Sequence, residues 1–190
     1  HYYVYTDAKY RIMDLSLNFL VVVLAMISTI HYVMGQFSKH SDELYKASIT
    51  DSLTGLYNRR FFSDFIQTEY NRAIRTNSPF TIVLMDMNHF KLVNDRYGHM
   101  EGDKVLRDIA GIVINNIRSY DVAARYGGDE FVIILPNTSK DVATAHVERL
   151  DQAFEAYCKQ YEAIGFSVAF GVEDSLGKDL DEIYRLADEL

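Results

Sequence analysis

The sequence predicts an α/β domain, a sheet covered by helices, preceded by one membrane-spanning helix. Two observations lead to this prediction. Residues 15–34 contain no Asp, Glu, Lys or Arg, whereas residues 50–190 alternate short apolar runs with stripes of apolar residues at helical spacing. Strands that alternate with helices pack as a sheet with helices on its faces. With 48% apolar and 24% charged residues, the 190-residue chain is composed like a folded protein.

The charge balance excludes one broad class of partner. Asp and Glu number 27 against 19 Lys and Arg, a formal net charge of −8. Non-specific binding to nucleic acid needs a basic surface that displaces counterions, so we expect no nucleic-acid partner. A single cysteine, Cys158, rules out an intramolecular disulfide. The chain begins with His1 rather than Met, so we expect it to be a fragment or a processed product.

The apolar segment near the N-terminus is long enough to cross a membrane. About 20 apolar residues span the hydrocarbon core as a helix, which predicts a transmembrane helix over residues 15–35. Tyr10 and Tyr32 lie near its ends, where aromatic rings favour the headgroup region. A buried core helix is the alternative. Residues 1–14 would be the tail of a region on the other side of the membrane that the chain lacks.

Basic residues flanking the segment leave its orientation open, because they are equal in number on the two sides: Lys9 and Arg11 before it, Lys39 and Lys46 after it.

A polar helix over residues 36–49 is predicted to connect the span to the rest of the chain. Phe37, Leu44 and Ala47 are spaced loosely like a coiled-coil seam. The segment is either a plain linker or a signalling helix that carries motion from the membrane to the domain.

A mixed α/β domain is predicted to occupy residues 50–190, and its elements follow in order. Apolar residues between Phe62 and Ile74 mark a helix that ends before Pro79. The compact run TIVLM, residues 81–85, favours a buried strand. Further elements are a helix over 105–117, strands over 122–126 and 131–135, a helix over 147–161, a strand over 166–172 and a last helix over 179–190.

The two central strands are predicted to form a hairpin. They are separated by GGDE, residues 127–130, and paired glycines favour the tight turns that need positive φ.

Three acids stand where these strands end. Asp86 follows TIVLM, and Asp129 and Glu130 occupy the hairpin tip. If the strands are neighbours, the carboxylates converge at one edge and repel each other unless a cation neutralises them. Hard oxygen ligands of this kind suit Mg²⁺. The alternative is that the hairpin acids are solvated surface residues.

Several segments together resemble the GGDEF family of diguanylate cyclases, which make cyclic di-GMP from two GTP molecules. YGGDEF (126–131) is similar to the family's signature, and four other segments occur in the family's order: DSLTGLYNRR (51–60), MDMNHFKLVNDRYGHMEGD (85–103), SVAFGV (167–172) and LADEL (186–190). The resemblance covers about residues 48–190. It implies a palm-like βαβ nucleotidyl-cyclase domain with a mostly antiparallel central sheet. The family's last helix runs beyond Leu190, so the C-terminal end of the domain is expected to be truncated.

The resemblance also implies roles for individual residues. Two Mg²⁺ or Mn²⁺ ions are expected at four positions: Asp86, the carbonyl of Met87, Asp129 and Glu130. Asp129 and Glu130 are the expected catalytic residues, with Asp129 or its metal helping to deprotonate the GTP 3′-hydroxyl. The expected substrate-binding residues are Asn94, Asp103 and His99 for guanosine, and His89, Phe90 and Lys91 for the phosphates. Judged from spacing alone, Phe90 is equally a core residue, His99 a turn residue and Asn94 a helix cap.

A second site is implied upstream of the hairpin. Arg118-Ser119-Tyr120-Asp121 resembles the family's RxxD inhibitory site, at which cyclic di-GMP, the product, lowers activity. Arg149 matches the position of a second arginine of that site. A surface ion pair is the alternative explanation of these residues.

The sequence therefore predicts a membrane-anchored diguanylate cyclase that condenses two GTP into cyclic di-GMP and two pyrophosphates. Each domain would hold one GTP, so the active unit is expected to be a homodimer. Because GTP is cytosolic, the domain would lie in the cytoplasm, below the inner membrane of a bacterium. The alternative is an inactive cyclic di-GMP receptor that binds through Arg118 and Asp121.

Overall fold

The computed structural model describes residues 2–188, and the chain divides into two compact units, residues 1–48 and 49–190. Residues 2–48 of the first unit lie within helix α1 (Tyr2–Ile49), and residues 36–49 continue this helix without a break. Gly35 does not interrupt it, because an isolated glycine costs a helix only about 1 kcal/mol. The stretch Leu17–Ile49 is long and apolar enough to cross a membrane, by length and composition alone. Its large apolar side chains are exposed, as at Leu20 and Phe37.

The second unit is built on a mixed five-stranded sheet in the order β1-β3-β4-β2-β5. The strands are β1 (Tyr57–Asn58), β2 (Thr81–Asn88), β3 (Val122–Arg125), β4 (Glu130–Leu135) and β5 (Ser167–Asp174). β1 runs parallel to β3, and the other neighbouring pairs are antiparallel. The predicted α/β class with a mostly antiparallel sheet is confirmed.

Helices pack on both faces of this sheet, in the order α2 (Arg59–Thr76), α3 (Phe90–Tyr97), α4 (His99–Asn116), α5 (Lys140–Cys158), a 3-10 helix (Lys159–Ile164) and α6 (Leu180–Asp188). The predicted end of the last helix at Leu190 lies outside the described residues.

Strand β2 joins two hydrophobic cores, because successive side chains of a strand point to opposite faces. Val83 and Met85 belong to the core formed with α4 and α5. Ile82 and Leu84 belong to the core formed with α2 and α6. All four are buried. This burial on both faces explains why TIVLM is apolar throughout instead of alternating.

The structure extends one predicted strand and adds one helix that was not predicted. β2 continues to Asn88, which pairs with Ser167 of β5, so Asp86 lies within the strand rather than after it. Residues 90–97 form the unpredicted helix α3, of which only Val93 is buried among the described side chains. One buried position does not produce an apolar stripe, so periodicity could not reveal this helix. Gly98, with φ 86°, turns the chain from α3 into α4.

Candidate functional site

The three predicted acids occupy neighbouring backbone positions because β2 and β4 are adjacent strands. Asp86 of β2 is directly opposite Glu130 of β4, and Asp129 immediately precedes Glu130 in the hairpin. Asp86 is half-buried, and burial raises the pKa of its carboxyl; the nearby charge of Asp129 raises it further. The site therefore carries a repulsion between carboxylates that a bound cation would relieve.

The hairpin between β3 and β4 is closed by the backbone. The N–H groups of Tyr126 and Gly127 both donate to the carbonyl oxygen of Glu130, at 2.9 and 3.4 Å. Neither Gly127 nor Gly128 has the positive φ that the sequence predicted. The requirement at Gly127 is space, because a Cβ there would collide with the Glu130 carboxylate. The prediction of a glycine turn was right, but its conformational reason was wrong.

The described residues contain no group of three or more His, Cys, Asp or Glu side chains placed to hold a metal ion. The Glu130 carboxylate lies against Gly127, whereas Asp86 and Asp129 interact with each other. Instead of the three converging carboxylates that were predicted, the structure has a pair, Asp86 and Asp129, with Glu130 beside it. A pair is compatible with Mg²⁺, which proteins often bind through one or two carboxylates together with phosphate oxygens of the substrate.

Arg125 connects the hairpin to the segment that follows α1. Its Nε and Nη2 donate to the carbonyl oxygen of Gly128 at 3.1 and 2.7 Å. Its Nη1 donates to both carboxylate oxygens of Asp51, at 3.2 and 3.3 Å. Both side chains are largely buried, with 17% and 23% of their area exposed. We call this set, Asp51, Arg125 and Gly128, the hairpin clamp.

Sequence reasoning did not assign Arg125 a role. The signal that could have found it is its position beside GGDEF together with the acid, Asp51, of the motif DSLTG. Asp51 also accepts hydrogen bonds from the backbone N–H and the hydroxyl of Thr54, at 2.9 and 2.7 Å. Although burial opposes ionisation of Asp51, these bonds and the charge of Arg125 hold its pKa below the usual value.

The predicted guanosine residues lie where α3 meets α4. Asn94 is inside α3 and is not a cap; its backbone carbonyl accepts the N–H of Gly98 at 2.8 Å. The Asn94 side chain occupies the space where a Cβ on Gly102 would stand. Asp103 follows Gly102 and is half-buried, while His99 is exposed at the start of α4. Gly102 thus sets how closely the two helices approach at this point.

The predicted phosphate residues lie at the beginning of α3. His89 precedes the helix in the left-handed region, with φ 64°, and makes no side-chain capping bond. Phe90 packs against the core formed with α4 and α5, and Lys91 is exposed. The N–H groups of Leu92 and Val93 donate to the carbonyl oxygen of His89, so the donors that this end of α3 can offer to an anion are those of Phe90 and Lys91.

The predicted product site forms a polar cluster away from the hairpin tip. The Arg118 backbone N–H donates to Asp121 Oδ2 at 2.8 Å. The Arg118 guanidinium instead donates to the Tyr120 hydroxyl at 2.8 Å and contacts His146 Nε2 at 3.1 Å. Arg149 is exposed one turn beyond His146 on α5. His146 was not predicted, because no motif marks it.

Comparison with known proteins identifies the family. The profile described as "Diguanylate cyclase, GGDEF domain" matches residues 48–190. The chain therefore belongs to the GGDEF domain family, as its sequence motifs predicted. It is 35% identical over 156 residues to the diguanylate cyclase DgcP of Pseudomonas aeruginosa, an alignment that covers 80% of this chain and 23% of DgcP. Curated relatives of this kind are much longer than the chain, which spans between 23% and 31% of their length.

Solved structures support the same fold. The coiled coil and GGDEF domain of DgcB from Caulobacter crescentus, solved in complex with c-di-GMP, has a TM-score of 0.77 at 23% identity. The match covers 88% of this chain and 91% of that one. A microbial GGDEF domain described with bis-(3,5)-cyclic di-GMP has a TM-score of 0.66 at 32% identity, covering 77% of this chain and 89% of that one.

Proposed function

We propose that the chain is a diguanylate cyclase, which condenses two GTP into one cyclic di-GMP and releases two pyrophosphates. The observation that carries the proposal is the pairing of Asp86 with Glu130 beside Asp129 at one edge of the sheet. Family membership and relatives named as diguanylate cyclases support it. Condensation requires each 3′-hydroxyl to attack the α-phosphate of the other GTP, so that two ester bonds form as two pyrophosphates leave.

The carboxylates are suited to a divalent metal, which in this family would be Mg²⁺ or Mn²⁺. Asp86, the carbonyl of Met87, Asp129 and Glu130 would hold up to two ions. When bound, such ions neutralise phosphate charge and lower the pKa of a coordinated hydroxyl. Asp129 would orient the 3′-hydroxyl and assist removal of its proton. The hairpin clamp would keep Asp129 and Glu130 in place during this step.

The α3 and α4 elements would bind the nucleotide. Guanine presents one acceptor edge and two adjacent N–H donors, which suit the amide of Asn94 and the carboxylate of Asp103. His99 would lie near the same nucleoside. The backbone of His89 and Phe90 at the start of α3, with the charge of Lys91, would hold the phosphates.

Two domains must face each other for the reaction, so we propose that the active unit is a homodimer aligned by residues 36–49 of α1. Residues 15–35 would anchor it in the inner membrane of a bacterium, with residues 50–190 in the cytoplasm where GTP is present. The apolar length of the helix supports the anchor. Residues 1–14 would then lie on the outer side.

Product inhibition is the regulation that we propose for the second site. Arg118 and Arg149 would bind the phosphates of cyclic di-GMP, and Asp121 the N–H edge of a guanine. The buried carboxylate of Asp121 supports this, since its Oδ1 lacks a hydrogen-bond partner among the described residues. The same cluster is what favours the second candidate function, a cyclic di-GMP receptor without catalysis.

Incubation of the full chain, in detergent, with GTP and Mg²⁺ tests the proposal. Chromatography should detect cyclic di-GMP and two equivalents of pyrophosphate, and chelation of the metal should abolish both. ATP in place of GTP is the matched substrate control. If the chain binds added cyclic di-GMP but makes none, the proposal of a cyclase is wrong and the second candidate function, a receptor, is supported.

A further inference from the structure

His146 lies beside the Arg118 guanidinium. The Nε2 atom is 3.1 Å from Arg118 Nη2. A guanidinium has only donors, so Nε2 must accept this bond and carry no proton. This contact with Arg118 therefore favours the neutral imidazole of His146.

The charged groups around His146 come from two elements. Arg118 and Asp121 belong to the connection between α4 and β3, and Arg149 lies one turn away on α5. Burial lowers the pKa of His146, and the positive charges of Arg118 and Arg149 lower it further, against the opposing effect of Asp121. A second positive charge on His146 would thus be opposed by two arginines as long as no anion is present.

One buried polar atom of this cluster, Asp121 Oδ1, has no hydrogen-bond partner among the described residues. Asp121 is only 8% exposed, and within the described part of the chain its Oδ1 finds no partner. Native structures rarely leave a buried carboxylate oxygen unpaired. A ligand that brings both N–H donors and negative charge would satisfy Asp121 and the arginines together.

We propose that His146 is a further ligand-binding residue of this cluster, which takes up a proton and donates it in a hydrogen bond when a bis-phosphodiester binds. The inference rests on the proposed product site. Arg118 exchanges His146 for a phosphate oxygen, and the ligand's negative charge then stabilises imidazolium beside the two arginines. One proton enters from solvent, and no covalent bond changes. Product inhibition consequently strengthens as the pH falls.

Calorimetry on the full chain with cyclic di-GMP tests the inference. Titrations at about pH 6 and about pH 8 should give tighter binding at the lower pH, by up to about tenfold per pH unit while one proton is taken up. Repeating them in two buffers of different ionisation enthalpy counts that proton directly. The phosphodiesters of the ligand keep their charge throughout this range.

The variant His146→Gln distinguishes the contribution of His146 to the pH dependence of binding from that of the other titrating groups. Its amide oxygen can still accept from Arg118, but it cannot be protonated. We expect it to bind cyclic di-GMP at both pH values about as the wild type does at pH 8. Asp121 is retained, so any pH dependence due to Asp121 survives in the variant. His40→Gln, an exposed histidine of α1, is the matched control and should keep the wild-type slope.

Two outcomes overturn the inference and are distinguishable. If cyclic di-GMP binds without proton uptake, His146 has no such role. The same holds if the affinity of His146→Gln depends on pH as steeply as that of the wild type. Both results are compatible with the proposed product site. Failure of cyclic di-GMP to bind at either pH removes the product site as well. Neither outcome affects the synthesis assay, which tests the cyclase separately.

Discussion

Arg125 joins Asp51 to the hairpin between β3 and β4. It binds the Asp51 carboxylate with one guanidinium nitrogen and the Gly128 carbonyl oxygen with the two others. Asp51 follows the end of α1 by two residues, and Gly128 precedes the expected catalytic Asp129. One side chain thus fixes the hairpin to the segment through which the N-terminal helix enters the domain.

Arg125→Lys is expected to slow synthesis about 10- to 100-fold, because an ammonium cannot bind both partners at once and small displacements of catalytic groups reduce rates to this extent. The fall should appear in kcat more than in the KM for GTP, since Arg125 positions the hairpin. Steady-state kinetics measure both. Arg60→Lys, an exposed arginine of α2, is the control. An equal change in the two variants would contradict a positioning role.

The hairpin clamp should also make the stability of the fold depend on pH. The folded pKa of Asp51 lies below the ordinary value of 3.8, so its ionised form favours the folded state at neutral pH. This contribution is lost as the pH falls below the ordinary value and through the folded pKa. The difference in melting temperature between wild type and Asp51→Asn should therefore shrink on acidification from about pH 7 to about pH 3. A difference that stays constant would contradict the prediction.

The strands and the acids could be predicted from sequence because their signals are local. TIVLM is apolar on both faces, and Asp86 stands immediately after it, so strand pairing alone brings it to the hairpin acids. Arg125 and His146 could not be predicted in the same way. Their partners, Asp51 and Arg118, are distant in the chain and are brought close only by the folded sheet and by the packing of α5.

Helix α3 shows a different limit of sequence reasoning. It is short and mostly exposed, and its start and end are set by the backbone of His89 and Gly98 rather than by side-chain caps. Gly98 is a helix-stop signal, but neither an apolar stripe nor an N-capping side chain marks the helix itself. The resemblance to the family predicted which residues of this segment bind the nucleotide, but only the structure shows that they lie on and beside a short helix.

Gly102→Ala is expected to weaken recognition of guanine, because the added Cβ would collide with the Asn94 side chain. The KM for GTP should rise and discrimination against ATP should fall, as for a site whose hydrogen bonds are displaced. Gly111→Ala on the same helix is the control, since a Cβ there meets nothing within 4 Å. Kinetics with GTP and ATP measure the effect. Unchanged selectivity in Gly102→Ala would place guanine recognition elsewhere.

Arg118→Ala is expected to relieve product inhibition. Loss of charge-assisted bonds to phosphate costs about 1.5–3 kcal/mol, which weakens cyclic di-GMP binding at least about tenfold. Progress curves scaled to their own initial rates should lose the slowdown that accompanies product accumulation. Arg107→Ala, an exposed arginine of α4, should retain it. Persistence of the slowdown in Arg118→Ala would show that product acts at another site.

The initial rate of cyclic di-GMP formation from GTP and Mg²⁺, measured side by side for the wild type and Asp129→Asn, tests the central claim most directly. The hairpin acids are predicted to be the catalytic centre, so removal of one carboxylate charge should lower the rate by about 10²–10³ or more. Asp64→Asn, which removes an exposed carboxylate of α2, should leave the rate near that of the wild type. Equal rates for the wild type and a folded Asp129→Asn, or no cyclic di-GMP from the wild type, would contradict the account.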